Sequence, residues 1–208
     1  MLFQNRDDAA RRLAEELRAY QGKNPLVLAI PRGAVPMAKQ IAAALQGEVD
    51  VVLVRKLRAP GNPELALGSV DESGWVYLGD HAWRMASDGY LAAEKEHQLQ
   101  VMRERRAQYT PIRPPLDPAG RIVIVVDDGL ATGSTMIAAL HALRARKPAR
   151  LICAVPVAPP DTLDKVRAYA DEVVCLYAPE EFYAVGQFYR EFTQVEDEEV
   201  VALLKPKS

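Results

Sequence analysis

Cysteine and histidine are scarce in this chain, with two Cys and three His among 208 residues. His81, His97 and His141 are scattered, and neither a His-Glu-x-x-His pattern nor paired-cysteine spacing occurs, so no all-protein metal cage is legible. Cys153 and Cys175 each lie in an apolar run, where a free thiol behaves as a small buried hydrophobe; a disulfide between neighbouring strands is the open alternative. An excess of one charge is also missing. Lys and Arg number 26 against 28 Asp and Glu, a formal net charge of −2, which excludes the electrostatic footprint of a protein whose main partner is a nucleic-acid backbone. No apolar run reaches the roughly 18 residues of a membrane helix, and the first residues, MLFQNRDDAARR, turn acidic at once and lack the apolar core of a leader. The expectation is a cytoplasmic protein, with no membrane or nucleic-acid partner, that handles small ligands. Its 49% hydrophobic content suffices for one sizeable core, hence a single domain over 1–208.

What is present is an alternation of short Val/Ile/Leu runs with amphipathic stretches. Residues 5–20 place Ala9, Leu13 and Leu17 four apart on one helical stripe, and Gly22 supplies a stop. LVLAI (26–30) reads as a buried strand, a helix is expected from Pro36 to Gly47, and VDVVLV (49–54) reads as the next strand. The rhythm returns at RIVIVV (121–126), in a helix over 134–147, at RLICAV (150–155), in a helix over 161–170 and at DEVVCLY (171–177). Continuous apolar strands separated by helices define an open α/β fold, a parallel sheet with helices on both faces. Two stretches break the pattern. Residues 57–80 are rich in Gly and Pro and read as an irregular loop leading to a hairpin. Residues 88–109 form a long charged helix, which TPIRPPLDP (110–118) ends.

The string VVDDGLATGST (125–135) carries the chemistry. In open parallel sheets, ligands sit beyond the carboxyl ends of the strands where the strand order reverses. Asp127 and Asp128 stand at such an end, and the turn after them runs into a helix near Ser134. The free amides of residues 131–135 therefore make a phosphate cradle, with Thr132, Ser134 and Thr135 adding hydroxyl donors. Carboxylates would repel phosphate, so they suit ribose hydroxyls, and the pair of subsites describes a ribose 5-phosphate. GLATGST lacks the Lys of a Walker A loop and separates its glycines by three residues in place of four, and no G-x-G-x-x-G follows a predicted strand. A polar turn with a helix cap is the plain alternative for Asp-Asp-Gly alone.

VIVVDDGLATGST (123–135) resembles the signature of type I phosphoribosyltransferases, and the strand–helix rhythm around it agrees over most of the chain. The resemblance implies that Asp127 and Asp128 hold the ribose hydroxyls of phosphoribosyl pyrophosphate (PRPP), and that Gly129, Ala131, Thr132, Gly133, Ser134 and Thr135 surround its 5-phosphate. Ser134 replaces a glycine often found there, which leaves the amide in place. Relatives acting on hypoxanthine and guanine usually carry an acidic residue where this chain has Ala131, so the resemblance argues against that subgroup.

The same resemblance implies a pyrophosphate site in the turn AIPRGAVP (29–36). There Arg32 offers a fork of donors, Gly33 admits close backbone approach, and relatives often hold a cis non-proline peptide. Arg55 and Lys56, directly after a predicted buried strand, would face the same crevice. Arg58 with residues 59–66 would form a closing lid, or equally a solvated basic cluster. Arg32 and Lys56 join the two acids as expected catalytic groups. Magnesium is expected, held mostly by PRPP oxygens and water. Residues 177–208 are the candidate hood over the acceptor. Positions 177–192 contain six of the 14 aromatic residues, and Phe182 and Tyr183 are acceptor candidates, with ordinary packing as the alternative. The implied function is transfer of the phosphoribosyl group from PRPP to a nitrogenous acceptor, a nucleobase, by a homodimer. The rival is a regulator that senses nucleotides on the same fold. A hydrolase of the α/β class is disfavoured by the lack of G-x-S-x-G.

Overall fold

A computed structural model describes residues 2–109 and 114–205. The Pro-rich stretch 110–118 thus begins outside the described residues, and the last three positions of the 177–208 segment lie outside them too.

Helix α1 (Arg6–Glu16) begins where the Asn5 side chain accepts a hydrogen bond from the Asp8 N–H at 2.9 Å, satisfying one free amide of the first turn. It buries Ala9, Ala10 and Leu13 and ends at Glu16, earlier than the stripe over 5–20 predicts; the remainder tightens into a 3-10 turn at Arg18–Tyr20. Strand β1 (Leu26–Ala29) follows, then α2 (Ala34–Leu45). This helix starts two residues before Pro36, because a proline inside the first turn removes only an amide that has no intrahelical partner. Strand β2 (Glu48–Val51) ends sooner than the apolar run 49–54 suggests. After it come β3 (Val54–Ala59), β4 (Asn62–Asp71), β5 (Val76–Leu78), the short α3 (Ala82–Met85) and the long α4 (Asp88–Tyr109). The chain then runs through β6 (Ile122–Val126), α5 (Ser134–Arg144), β7 (Arg150–Val157), α6 (Pro160–Arg167), β8 (Glu172–Tyr177), a 3-10 turn at Val185–Phe188 and α7 (Asp197–Leu204). Among the described residues no helix is long and apolar enough to cross a membrane.

Among the described residues, five strands form a parallel sheet in the order β2-β1-β6-β7-β8. Alternate side chains enter two apolar layers, as the period of a strand requires. Val27, Ala29, Ile124, Val126 and Ile152 join the layer beneath α1 and α2. Leu26, Leu28, Val123, Val125 and Cys153 meet Met136, Ile137 and Leu140 of α5 on the other face. Each such Val, Ile or Leu contributes about 1.5–3 kcal/mol through burial. The open α/β architecture with helices on both faces is the one the alternation predicts. Both cysteines are free, so no bond joins β7 to β8.

The stretch 57–80 differs from its expected form. It is mostly a regular antiparallel sheet, β3-β4-β5, with a bulge where the register shifts on both sides of Arg58. The chain leaves the parallel sheet after Val51. The Val52 N–H still donates to Ala29 O at 3.0 Å, and β3 then takes β4 as its partner. An apolar run in sequence carries no mark of such a change of partner. The small sheet is tied to α5 by a hydrogen bond between the Ser69 and Ser134 hydroxyls at 3.0 Å and by the Trp75 ring stacked on His141 at 3.7 Å.

Candidate active site at the strand-order reversal

The sheet order reverses between β1 and β6, since β1 leads to a strand on one side and β6 to a strand on the other. Ala29 pairs in register with Val126, and the Ile30 N–H donates to Val126 O at 3.2 Å. The turn after β1 and the acids after β6 therefore emerge side by side, at the position where open α/β sheets bind ligands. A cleft of about 490 Å³ opens there, a size suited to a small ligand. Arg32, Gly33, Arg55, Lys56, Arg58 and every residue from Asp127 to Thr135 line it.

The two acids are held differently. The Asp127 carboxylate accepts from the Asp128 N–H at 2.9 Å. Burial, followed by the neighbouring Asp128 carboxylate, pushes the Asp127 carboxyl well above the usual carboxylate range, with Lys56 opposing. Asp128 is ion-paired to Arg6 of α1, Nε to Oδ2 at 3.0 Å, and its carbonyl accepts from the Tyr189 hydroxyl at 2.6 Å. Sequence reasoning singles out neither partner. Arg6 does leave a trace, because it lies three residues before Ala9 and seven before Leu13, on the stripe that otherwise faces the core. Tyr189 leaves none.

The loop after the acids opens α5 as the local sequence predicts. Gly133 adopts φ +79° ahead of Ser134, and a Cβ there would stand 2.8 Å from Thr162 Cγ2, so conformation and space both require glycine. The Thr162 hydroxyl donates to Ala131 O at 2.7 Å and fixes the loop from α6. The Ser134 hydroxyl is buried against Ser69 and Thr132, and its N–H donates to Thr132 Oγ1 at 3.4 Å, so Ser134 shapes the loop while the Thr135 amide sits in the first turn of α5.

Beside the acids, the Pro31–Arg32 peptide is cis, a bond that the resemblance implies is often found in this turn. Arg32 lies 3.9 Å from Glu196 and from Asp197 near the start of α7. Arg55 donates from Nε to Gln98 at 2.9 Å, and burial, then the nearby Arg105, Arg58 and Arg32, lowers its guanidinium from the ordinary value. Several cations thus crowd this end of the cleft, which favours an anion. Arg58 has a further tie: its main-chain N–H and its Nε both donate to Glu94 Oε1, at 3.1 and 2.8 Å. Arg55, Lys56 and Arg58 therefore sit along a paired strand, where the sequence predicts a strand end leading into a loop.

The acceptor candidates fall elsewhere. Tyr183 is 85% exposed and Phe182 packs on Phe188 with ring centroids 5.2 Å apart. Neither lines the cleft; Val185 of the same segment does. The other aromatics of 177–192 mostly pack on one another and on Phe3, which pairs with Tyr189 across the two ends of the chain. Aromatic density in the sequence thus reflects this packing.

A family model described as the phosphoribosyl transferase domain matches residues 2–193, and the chain belongs to that family. Two Mycobacterium tuberculosis proteins, from strains CDC 1551 / Oshkosh and ATCC 25618 / H37Rv, carry the provisional name phosphoribosyl transferase and are each 43% identical over 205 residues. Those matches cover 98% of this chain and 46% of each relative, so the chain spans about half the length of the curated relatives it matches. The crystal structure of TT1426 from Thermus thermophilus is 46% identical, with a TM-score of 0.81 and 98% of both chains covered.

Proposed function

We propose that the protein transfers the 5-phosphoribosyl group from PRPP to a nitrogenous acceptor, a nucleobase, and releases pyrophosphate. The observation that carries this reading is the convergence, in one cleft, of the acid pair, the amide cradle at the start of α5 and the cation-rich turn and strand. Sugar hydroxyls on Asp127 and Asp128, the 5-phosphate on residues 131–135 and the diphosphate towards Arg32 and Lys56 would place the anomeric carbon between the last two subsites. Breaking the bond to pyrophosphate builds positive charge on the ribose ring and negative charge on the leaving group. The acids sit on the sugar side and the cations on the leaving-group side, so catalysis is mainly positional and electrostatic.

Magnesium would enter this cleft with the substrate, where diphosphate oxygens and water would supply most of its ligands. When bound, it neutralises charge on the departing diphosphate. Ala131 removes a carboxylate from the cleft wall, so recognition of the acceptor falls to other groups.

The test is pyrophosphate release with PRPP, magnesium and a panel of bases, beside the Asp127→Asn, Asp128→Asn double variant. Release should require a base and fall by about 100-fold or more in the double variant, the consequence of losing two charge-assisted hydrogen bonds of roughly 1.5–3 kcal/mol each. Release that ignores both substitutions refutes the assignment. Tight nucleotide binding without turnover of any base would transfer the site to a sensing regulator.

A further inference from the structure

The N-terminal helix and the C-terminal segment meet at one side chain beside the cleft. Arg6 and Asp128 have side chains only 13% and 17% exposed, so their pair is not a solvated surface contact. The remaining guanidinium surface is also engaged. Nη1 donates to the Thr193 carbonyl, and Cζ lies 4.1 Å from the centroid of the Phe192 ring. Gly33 of the turn after β1 packs directly against the pair, since a Cβ there would lie 2.7 Å from Asp128 Oδ2 and 2.9 Å from Arg6 Nη2. A planar guanidinium held by a ring face, a carbonyl and a carboxylate has few orientations left. It therefore fixes the carboxylate it touches.

We propose that Arg6 is a positioning residue for sugar recognition, which sets the orientation of the Asp128 carboxylate that grips the ribose hydroxyls. This rests on the functional reading above. It adds that two segments far apart in sequence build the sugar subsite: Arg6 from the first turn of α1, and residues 189–193 through the contacts of Tyr189 with Asp128 and of Phe192 and Thr193 with Arg6. A side-chain pair that served only to staple the chain ends would affect every ligand of the cleft alike. A positioning role predicts selectivity instead: loss falls on ligands with the hydroxyls that the acids hold, and spares the phosphate cradle, which Arg6 does not touch.

Calorimetric binding of ribose 5-phosphate, 2-deoxyribose 5-phosphate and inorganic phosphate to wild type, Arg6→Gln and Arg6→Lys distinguishes the two. Wild type should prefer ribose 5-phosphate over the deoxy sugar. Arg6→Gln should weaken ribose 5-phosphate by about tenfold, the scale of one charge-assisted hydrogen bond, and narrow that preference while leaving inorganic phosphate unchanged. Arg6→Lys, which keeps the charge and loses the fork, should recover part of the preference. In an Asp128→Asn background, Arg6→Gln should change the sugar ratio no further. Equal weakening of all three ligands, or an unaltered sugar ratio in Arg6→Gln, overturns the positioning role and leaves the functional reading standing. Failure of wild type to bind either sugar phosphate overturns both.

Discussion

Replacing Glu94 with Gln should destabilise the protein at neutral pH and abolish a pH-dependent part of its stability. Glu94 is 7% exposed on α4 and accepts from Arg58 N, Arg58 Nε and Gln98 Nε2 at 3.1, 2.8 and 2.7 Å. Burial by itself would raise the carboxyl, but the Arg58 and Gln98 hydrogen bonds outweigh it and hold it at about 2, against an ordinary 4.5. A carboxyl lowered on folding contributes stability that is fully present above about 4.5 and is lost as pH falls towards 2. At about 1.4 kcal/mol per pH unit the gap sets a ceiling of roughly 3.4 kcal/mol. The Arg58 side chain is 41% exposed, so solvent screening reduces this to about 1.5–2 kcal/mol. For a domain of this size that corresponds to about 3–8 °C in Tm. Denaturant unfolding of wild type and Glu94→Gln between about pH 7 and pH 3.5 reads it directly. The difference should be constant from pH 7 to about 5.5 and shrink below about pH 4.5. A variant as stable as wild type at pH 7, or a gap that does not narrow in acid, would show that Glu94 does not anchor the basic strand β3 in this way.

Asp127 predicts the opposite sign. Its carboxyl is raised on folding by burial and then by Asp128, so the folded state binds more protons than the unfolded one and stability falls as pH rises above about 3.8. Asp127→Asn should therefore raise Tm at pH 7, with the gain vanishing in acid; a lower Tm at pH 7 contradicts this. Gly133→Ala meets both the left-handed backbone and Thr162 Cγ2 at 2.8 Å. A cost of roughly 2 kcal/mol is expected, seen as a fall of about 4–8 °C in Tm, with weaker binding of inorganic phosphate by calorimetry. Unchanged phosphate affinity would separate the loop from the anion site.

The loop over 129–135 and the two acids that line the cleft are legible in the sequence because they are contiguous. A strand end, two carboxylates, a small-residue turn and a helix start follow one another over residues 121–135, and local rules of burial, capping and free amides act within that span. The turn 29–36 is legible for the same reason. Arg58 is not: its side chain can be read as lid or solvent-facing until α4 brings Glu94 against the bulge in β3. The aromatics of 177–192 escape placement for a related reason, since density of rings is local and the surface they cover is not.

What the sequence by itself determined is the alternation of buried strands and amphipathic helices, and with it the parallel sheet, the acid pair and the amide cradle, all set by periodicities a few residues long. Tertiary structure alone decided which strands became neighbours, that β3 to β5 form their own sheet, and that Arg6 meets Asp128 from 122 residues away. Those outcomes depend on β1 lying beside β6 and on the two chain ends converging there, and no local period encodes a distance through space.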